Sequence, residues 1–330
     1  MLAMLERLGT HFRNFSSVDP WTNAYGLART LLATCTLLTF LFNSSTGLFR
    51  EAVGIDKMPP CDGIGSASLF CQVPSDELWI GRIAAIVILL VVASGWYPRI
   101  TGVLHWWVSF SFNTSSILVD GGDQIAAVLT LLLLPITLTD DRKWHWSTRS
   151  AEEMGAPTWE MSKRFLAMSA WIVIRIQVAG IYLHAAIGKM AVDEWANGTA
   201  LYYWFTHPSF GVPNWLEPVV IPLVSNGIIV SLSTWSVILF ELTLFTGLVM
   251  AKHWWRKLMI AGVLFHAGIA VFHGLITFMF AMLGALVVFL HPIYVPFDLP
   301  EVEGSVERIR AALRTEETGS LDLPEVPKTA

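Results

Sequence analysis

Eight long apolar runs joined by short polar segments constrain this chain more than any other feature of its sequence. A membrane-spanning helix needs about 20 mostly apolar residues, because the hydrocarbon core is roughly 30 Å thick and each residue advances about 1.5 Å. Runs of this kind lie near 25–44, 78–97, 100–119, 123–139, 165–190, 227–250, 256–274 and 275–295. They are continuous and lack the period-two alternation of a barrel strand. The expected fold is therefore all-α, a polytopic membrane bundle of about eight transmembrane helices. Composition agrees. Hydrophobic residues make up 54% of the 330 positions and charged residues only 14%, where a soluble chain carries about 25% charged residues. That balance excludes a soluble enzyme, a disordered protein and a nucleic-acid binder.

The fourth run is short if counted from Ile125 to Leu138, so its start is expected to be recessed into the bundle. The stretch 219–226 carries Pro222 and Asn226, and it reads as an interfacial or re-entrant piece instead of a ninth span. Residues 1–24 form a polar or amphipathic arm with no small-residue cleavage site after the first apolar run. Residues 25–297 form the transmembrane domain, and 298–330 form an acidic tail expected to be flexible. No internal repeat is visible.

Orientation follows from Lys and Arg in short loops. With eight spans, Arg7, Arg13, Arg99, Arg142, Lys143, Arg149, Lys163, Arg164, Lys252, Arg256, Lys257, Arg308, Arg310, Arg314 and Lys328 fall on one side. The opposite loops hold Arg50 and Lys57, with Lys189 at a helix end. Both termini are therefore expected in the cytoplasm of a plasma-membrane protein.

Of the three cysteines, Cys35 lies inside the first run and reads as a small core residue. Cys61 and Cys71 share the outer loop 45–77, where two neighbouring thiols are expected to pair. The pair reads as a clamp on a long loop, with a redox-active disulfide as the alternative. The spacing matches neither a CxxC motif nor a metal-ligand pattern.

Ionisable groups at membrane depth cost at least about 2.5–3.5 kcal/mol each and are functional candidates by default. Beside Arg29 they are Arg82, Asp120, Asp123, Arg175, His184, Lys189, Glu241, His266 and His273, joined by Gln177 and Tyr182. Counting along the spans puts Arg29 and Glu241 in the inner half and Arg175 near the middle. The others fall toward the outside, where they predict an outward-facing polar cluster. Residues seven apart share a helix face, which groups Arg175, Tyr182 and Lys189, then Gln177 with His184, then His266 with His273. Lys189 reads either as a site residue or as a lysine snorkelling to the interface. The turn V-D-G-G-D at 119–123 is an ordinary exposed turn, or it places Asp120 or Asp123 against a buried base such as Arg82 or Lys189. The segment 193–215 is dense in aromatic residues, including Trp195, Tyr202, Tyr203, Trp204, Phe205, Phe210 and Trp215. It reads as a helix lying in the headgroups or as a lid over an apolar ligand.

Several motifs together carry a family resemblance. They are P-W-T-N-A-Y-G-L-A-R at 20–29, the Cys61/Cys71 loop, V-D-G-G-D at 119–123, Y-L-H-A-A-I-G-K-M at 182–190, and W-A-N-G-T-A-L-Y-Y-W at 195–204. T-W-S-V-I-L-F-E-L at 234–242 and F-H-A-G-I-A-V-F-H-G-L at 265–275 complete the set. Over residues 15–297 the chain resembles the sporulation-delaying protein B family of the HTTM group, which is distantly similar to the vitamin K-dependent gamma-glutamyl carboxylase. The resemblance implies a role in maturing a secreted antimicrobial peptide toxin, with the precursor peptide and a small soluble protein as partners. The carboxylase similarity implies a helical bundle and an outward-facing lysine acting as base on a reduced quinone. By motif position that lysine is Lys189, with His184 beside it.

Three readings follow. The first is a toxin-maturation factor with a site at Lys189, His184, Asp120 and Asp123, supported by Arg82, Arg175, Tyr182, Gln177, Glu241, His266 and His273. The second is a quinone- or lipid-dependent membrane enzyme of carboxylase or epoxidase type. The third is a non-catalytic peptide exporter or an immunity or docking protein. No resident metal is expected.

Overall fold

The computed structural model describes residues 18–51, 58–147 and 158–297. The arm expected over 1–24 lies mostly outside the described residues, and the tail 298–330 lies wholly outside them. Eight helices of 15 residues or more are present among the described residues. They are α1 Asn23–Phe42, α2 Leu78–Ser94, α3 Pro98–Ser115, α4 Gly121–Thr139, α5 Thr158–Met190, α6 Gly227–Thr246, α7 Trp255–His273 and α8 Ile276–Leu290. No strand occurs among the described residues, which leaves an all-helical protein. Five of the helices are long and apolar enough to cross a membrane: α1, α4, α5, α6 and α7, the last counted from Lys252. Leu78–Ser94 and Ile276–Leu290 are apolar but shorter. This is a helical membrane protein.

Local chemistry sets the helix ends. Asp120 caps α4 by accepting a hydrogen bond from the Asp123 amide at 2.9 Å. Asn226 caps α6 through the amides of Ile228 and Ile229. Pro98 opens α3, where its missing N–H removes no helical bond. Gly95 ends α2 at φ +89, a backbone region that suits glycine.

The helices α1, α4, α5 and α7 all pack on α8, which is the central element. Gly284 lets α8 approach α1 closely: a Cβ there would sit 3.0 Å from Leu32. The pairs α1–α2 and α3–α4 complete one side. On the other side α6 packs mainly on α5. The described parts of the loop, 43–51 and 58–77, cover one end of the bundle. There the Cys61–Cys71 disulfide is present, and the Phe70 ring packs at a tilt against Phe49 and Phe40. We call this the disulfide end.

The opposite end is closed by the segment 140–147. Its His145 is fully buried and enters between α1 and the α2–α3 turn. A Cβ on Gly95 would fall 2.5 Å from the His145 ring, and one on Gly26 would fall 2.8 Å from it. Arg142 bonds Asp140 through Nε and Nη2 at 2.9 and 2.8 Å, and Tyr25 donates its hydroxyl to the same carboxylate. Arg29 Nη1 meets His145 Nδ1 at 3.1 Å. A guanidinium can only donate, so Nδ1 accepts and the imidazole is neutral. Its proton then sits on Nε2, facing Thr30 Oγ1 at 3.4 Å. Burial and the neighbouring Arg29 hold this histidine well below its ordinary pKa.

Candidate functional site

Between α5, α6, α7 and α8 lies a cavity of about 560 Å³. Its walls are largely apolar, with Ile181, Val237, Leu264, Phe265, Phe278 and Met282 among them. Two polar pairs interrupt these walls. Lys189 Nζ donates to both carboxylate oxygens of Glu241 at 2.7 and 2.9 Å. The same ammonium sits 5.3 Å from the ring centre of Trp195, a cation–π contact. The second pair is Tyr182 and His266, with the phenol oxygen 3.1 Å from His266 Nε2. His266 is buried, and its Nδ1 has no hydrogen-bond partner among the described residues.

Sequence spacing explains how the pairs meet. Tyr182 and Lys189 are seven apart and share one face of α5. Glu241 comes from α6 and His266 from α7, so three helices contribute four polar groups. Ion pairing offsets the burial of both charges, which would be costly singly. The pair as a whole is neutral.

The segment after α5 roofs the cavity. Short helical turns at Asp193–Ala196 and Ala200–Phe205 bring Trp195, Trp204 and Phe205 onto it. His273 donates Nδ1–H to the Phe210 carbonyl at 2.7 Å and stacks on Phe205 with ring centres 5.2 Å apart. His273 therefore fastens the roof.

The helix counting that separated Lys189 and Glu241 in depth needs correction. Glu241 is 14 residues from the start of α6, about 21 Å along its axis. Lys189, next to last in α5, meets it there. Helix α5 thus stops well short of the disulfide end, and residues 191–224 fill the remaining depth beside α6. Gly198 packs on Ser231, and the Leu201 amide bonds Thr234 Oγ1. The short helix Glu217–Val224 belongs to this same segment. Arg175 is likewise displaced from its expected mid-depth position. It donates to the His291 carbonyl at 2.9 Å and lies over the Trp255 ring at 4.6 Å, level with the start of α7 and the end of α8.

Other candidates lie elsewhere. Asp120 and Asp123 meet neither Arg82 nor Lys189. Asp120 caps α4 and accepts from Thr277 Oγ1 at 3.2 Å. Asp123 is buried beside Thr39 and Cys35. Arg82 donates Nε–H to the Phe40 carbonyl at 2.7 Å. His184 is exposed on α5, Gln177 is half-buried, and neither lines the cavity. The physical reason is helical phase: 177 and 184 lie about 120–160° around α5 from the 182/189 face. Among the described residues no group of three His, Cys, Asp or Glu side chains is placed to hold a metal.

The structure also shows buried polar residues that span-by-span reading passed over. On α3 they are Thr101, His105 and Ser109, and on α1 Thr36. Outside the spans, Asp140 and His145 are buried too. The signal was present as spacing: Thr101, His105 and Ser109 recur every four residues on one stripe.

With this geometry in view, known relatives are informative. Sporulation-delaying protein SdpB of Bacillus subtilis (strain 168) is 38% identical over 277 residues, 83% of this chain and 83% of that protein. The chain belongs to the sporulation-delaying protein B family. A second relative from the same organism, the uncharacterized protein YitO, is 41% identical over 292 residues, 88% of this chain and 92% of its own. No family model matches the chain, and no solved structure matches it.

Proposed function

We propose that this member of the sporulation-delaying protein B family is a plasma-membrane factor that matures a secreted antimicrobial peptide toxin. In this reading all eight helices cross the bilayer. The disulfide end faces outward, both termini are cytoplasmic, and the precursor reaches the cavity from outside. A small soluble protein acts with it. The observation that carries the proposal is the roofed cavity, in which an apolar wall surrounds the Lys189–Glu241 pair. An apolar stretch of the precursor would lie against the walls while a backbone amide exchanges into the polar pairs. Cells carrying Lys189→Met at unchanged protein level are expected to secrete at most about a tenth of the mature toxin, since a buried hydrogen-bonded charge pair is worth at least about 1.4 kcal/mol. Normal secretion would remove Lys189 from the site.

The apolar lining of the cavity favours a second reading, that of a quinone- or lipid-dependent enzyme. A single neutral apolar chain with one polar head fits such a cavity, and the neutral ion pair disfavours a charged head. Lys189 would serve as base only after passing its proton to Glu241 or separating from it. Mass spectrometry of molecules extracted from the purified protein separates the two readings: a stoichiometric neutral lipid or quinone favours the second.

A further inference from the structure

Helices α6 and α7 wall the cavity on one side, and they are the least buried of the five membrane-length helices. Helix α6 packs on α5 and on the segment 191–224, and α7 packs on α8. The two run antiparallel and meet at both ends. A Cβ on Gly247, just past the end of α6, would fall 3.1 Å from Leu258 near the start of α7. At the other end the roof bridges them. Gly198 packs on Ser231 of α6, and Phe205 packs on Phe272 of α7 with ring centres 5.6 Å apart. Between these points Phe240 of α6 meets Phe265 of α7, with ring centres 5.0 Å apart.

The Phe240–Phe265 contact sets the register of the pair. Three residues toward the roof, Val237 falls level with Gly268, and both line the cavity. Among the described residues, the nearest atom to a Cβ on Gly268 outside the local backbone would be in Phe272, on the same helix, at 4.0 Å. Helix α6 therefore leaves open space beside Gly268. One turn farther from the roof, Leu264 also lines the cavity, yet it is 67% exposed. A side chain that belongs both to the cavity wall and to the outer surface marks a mouth. Leu264 is the tenth of 19 residues in α7, and Val237 is the eleventh of 20 in α6. The mouth thus lies near the middle of two membrane-length helices, beside the exposed Leu232 and Leu239. At that depth it faces hydrocarbon instead of water.

Granted the second reading above, we propose that the cavity takes its ligand from the bilayer through the slot between α6 and α7 at Val237 and Gly268, and that the ligand is an uncharged single-chain amphiphile with a hydroxyl head. Its chain lies against the apolar walls, and the roof of Trp195, Trp204 and Phe205 bars the way toward the disulfide end. Two of the three ammonium hydrogens of Lys189 go to Glu241. One donor and the remaining carboxylate lone pairs are left for a head that both accepts and donates, as a hydroxyl does. A hydrocarbon tail alone would offer these groups nothing. A phospholipid head would bring a charged phosphate to a pair that is already neutral, and that charge would be buried without a partner.

The test uses the full chain in vesicles of phosphatidylethanolamine and phosphatidylglycerol that contain hexadecanol with a photoreactive diazirine at mid-chain. After illumination, mass spectrometry of fragments locates the adducts. Met282 reports on the cavity, because it lines the cavity and is otherwise buried. Leu239 reports on the lipid face, because it is exposed and lies outside the cavity lining. Wild type should carry adducts at both. Gly268→Leu should lower the Met282 adduct at least about tenfold relative to Leu239, since leucine fills the slot. Leu264→Trp closes the mouth from its exposed rim and should act likewise, which covers the case in which Gly268→Leu does not fold. A phosphatidylcholine with the diazirine in one acyl chain should label Leu239 and spare Met282. A Met282 adduct that persists in a folded slot variant overturns the route through the slot and leaves the lipid-type reading standing. Wild-type labelling at Leu239 without Met282 overturns both. Equal labelling of Met282 by the phosphatidylcholine overturns the uncharged single-chain ligand.

Discussion

The two sides of the bundle are built on opposite principles. Helix α1 has 61% of its spanning window buried, whereas α6 has 28% and α7 has 22%. On the α1–α4 side, helices meet through small residues, interlocked aromatics and buried polar stripes, and the segment 140–147 closes the end. On the α5–α7 side, α6 leans mainly on α5, and the space between helices is left as a cavity under a roof of aromatic turns. Polar groups differ in the same way. On the packed side they are dispersed along helix interfaces. At the cavity they are concentrated in two pairs. Dense packing fixes geometry, while loose packing leaves room for a ligand.

Truncation should separate the two sides most sharply. Leu32 is fully buried where α1 meets α8, and Leu32→Ala is expected to cost about 2–5 kcal/mol. Thermal unfolding of the purified protein in detergent reads this directly. A cost near zero would mean that the α1–α8 contact is not the tight one.

Next in size is the cavity's ion pair. Lys189→Met alone leaves Glu241 buried without its partner, and removing one member of a buried pair costs about 3–5 kcal/mol. Partial exposure of Lys189, 23% for its side chain, lowers the expectation to about 2–3 kcal/mol. The double variant Lys189→Met/Glu241→Leu should recover most of the loss. If double and single variants unfold alike, the pair is not coupled.

A smaller effect comes from pH and is read at His145 on the packed side. His145 is neutral in the fold, with its pKa well below the ordinary value, while in the unfolded chain it titrates near about 6.5. The unfolded state therefore binds more protons below that pH. The contribution of His145 to stability should be level above about pH 6.5 and fall by up to about 1.4 kcal/mol per unit as pH drops below it. His145→Gln should flatten that part of the stability curve relative to the wild type. Parallel curves for the two proteins would contradict the buried neutral histidine.

The smallest effect is expected at an exposed position of α7 away from the cavity. Val271 is 50% exposed and does not line the cavity, and Val271→Ala should change stability in detergent by less than about 0.5 kcal/mol. A large loss there would show that α7 is covered by something in the native assembly.

Much of the architecture is legible in apolar run length. Each of the eight expected runs overlaps one long helix, because in a bilayer every backbone N–H and C=O must bond within its own segment. The turn at 119–123 shows where legibility ends. Its two aspartates were readable as a cluster, but not that Asp120 would cap α4 and Asp123 would face Cys35. The same limit applied to Lys189, whose spacing from Tyr182 gave its face but not its partner. Glu241 lies 52 residues away on a helix whose start is offset from the end of α5. Counting residues from loop ends assumed that neighbouring helices end at the same level, and the end of α5 lies well along α6.

By itself the sequence determined that the chain is a helical membrane protein, where its helices run, and which faces carry polar groups. These properties follow from local periodicity and from the cost of exposing backbone to lipid. Tertiary structure alone decided that Lys189 meets Glu241 and that 191–224 descends to roof a cavity. Each depends on the relative translation of helices along their axes, which is set by side-chain packing between segments far apart in sequence.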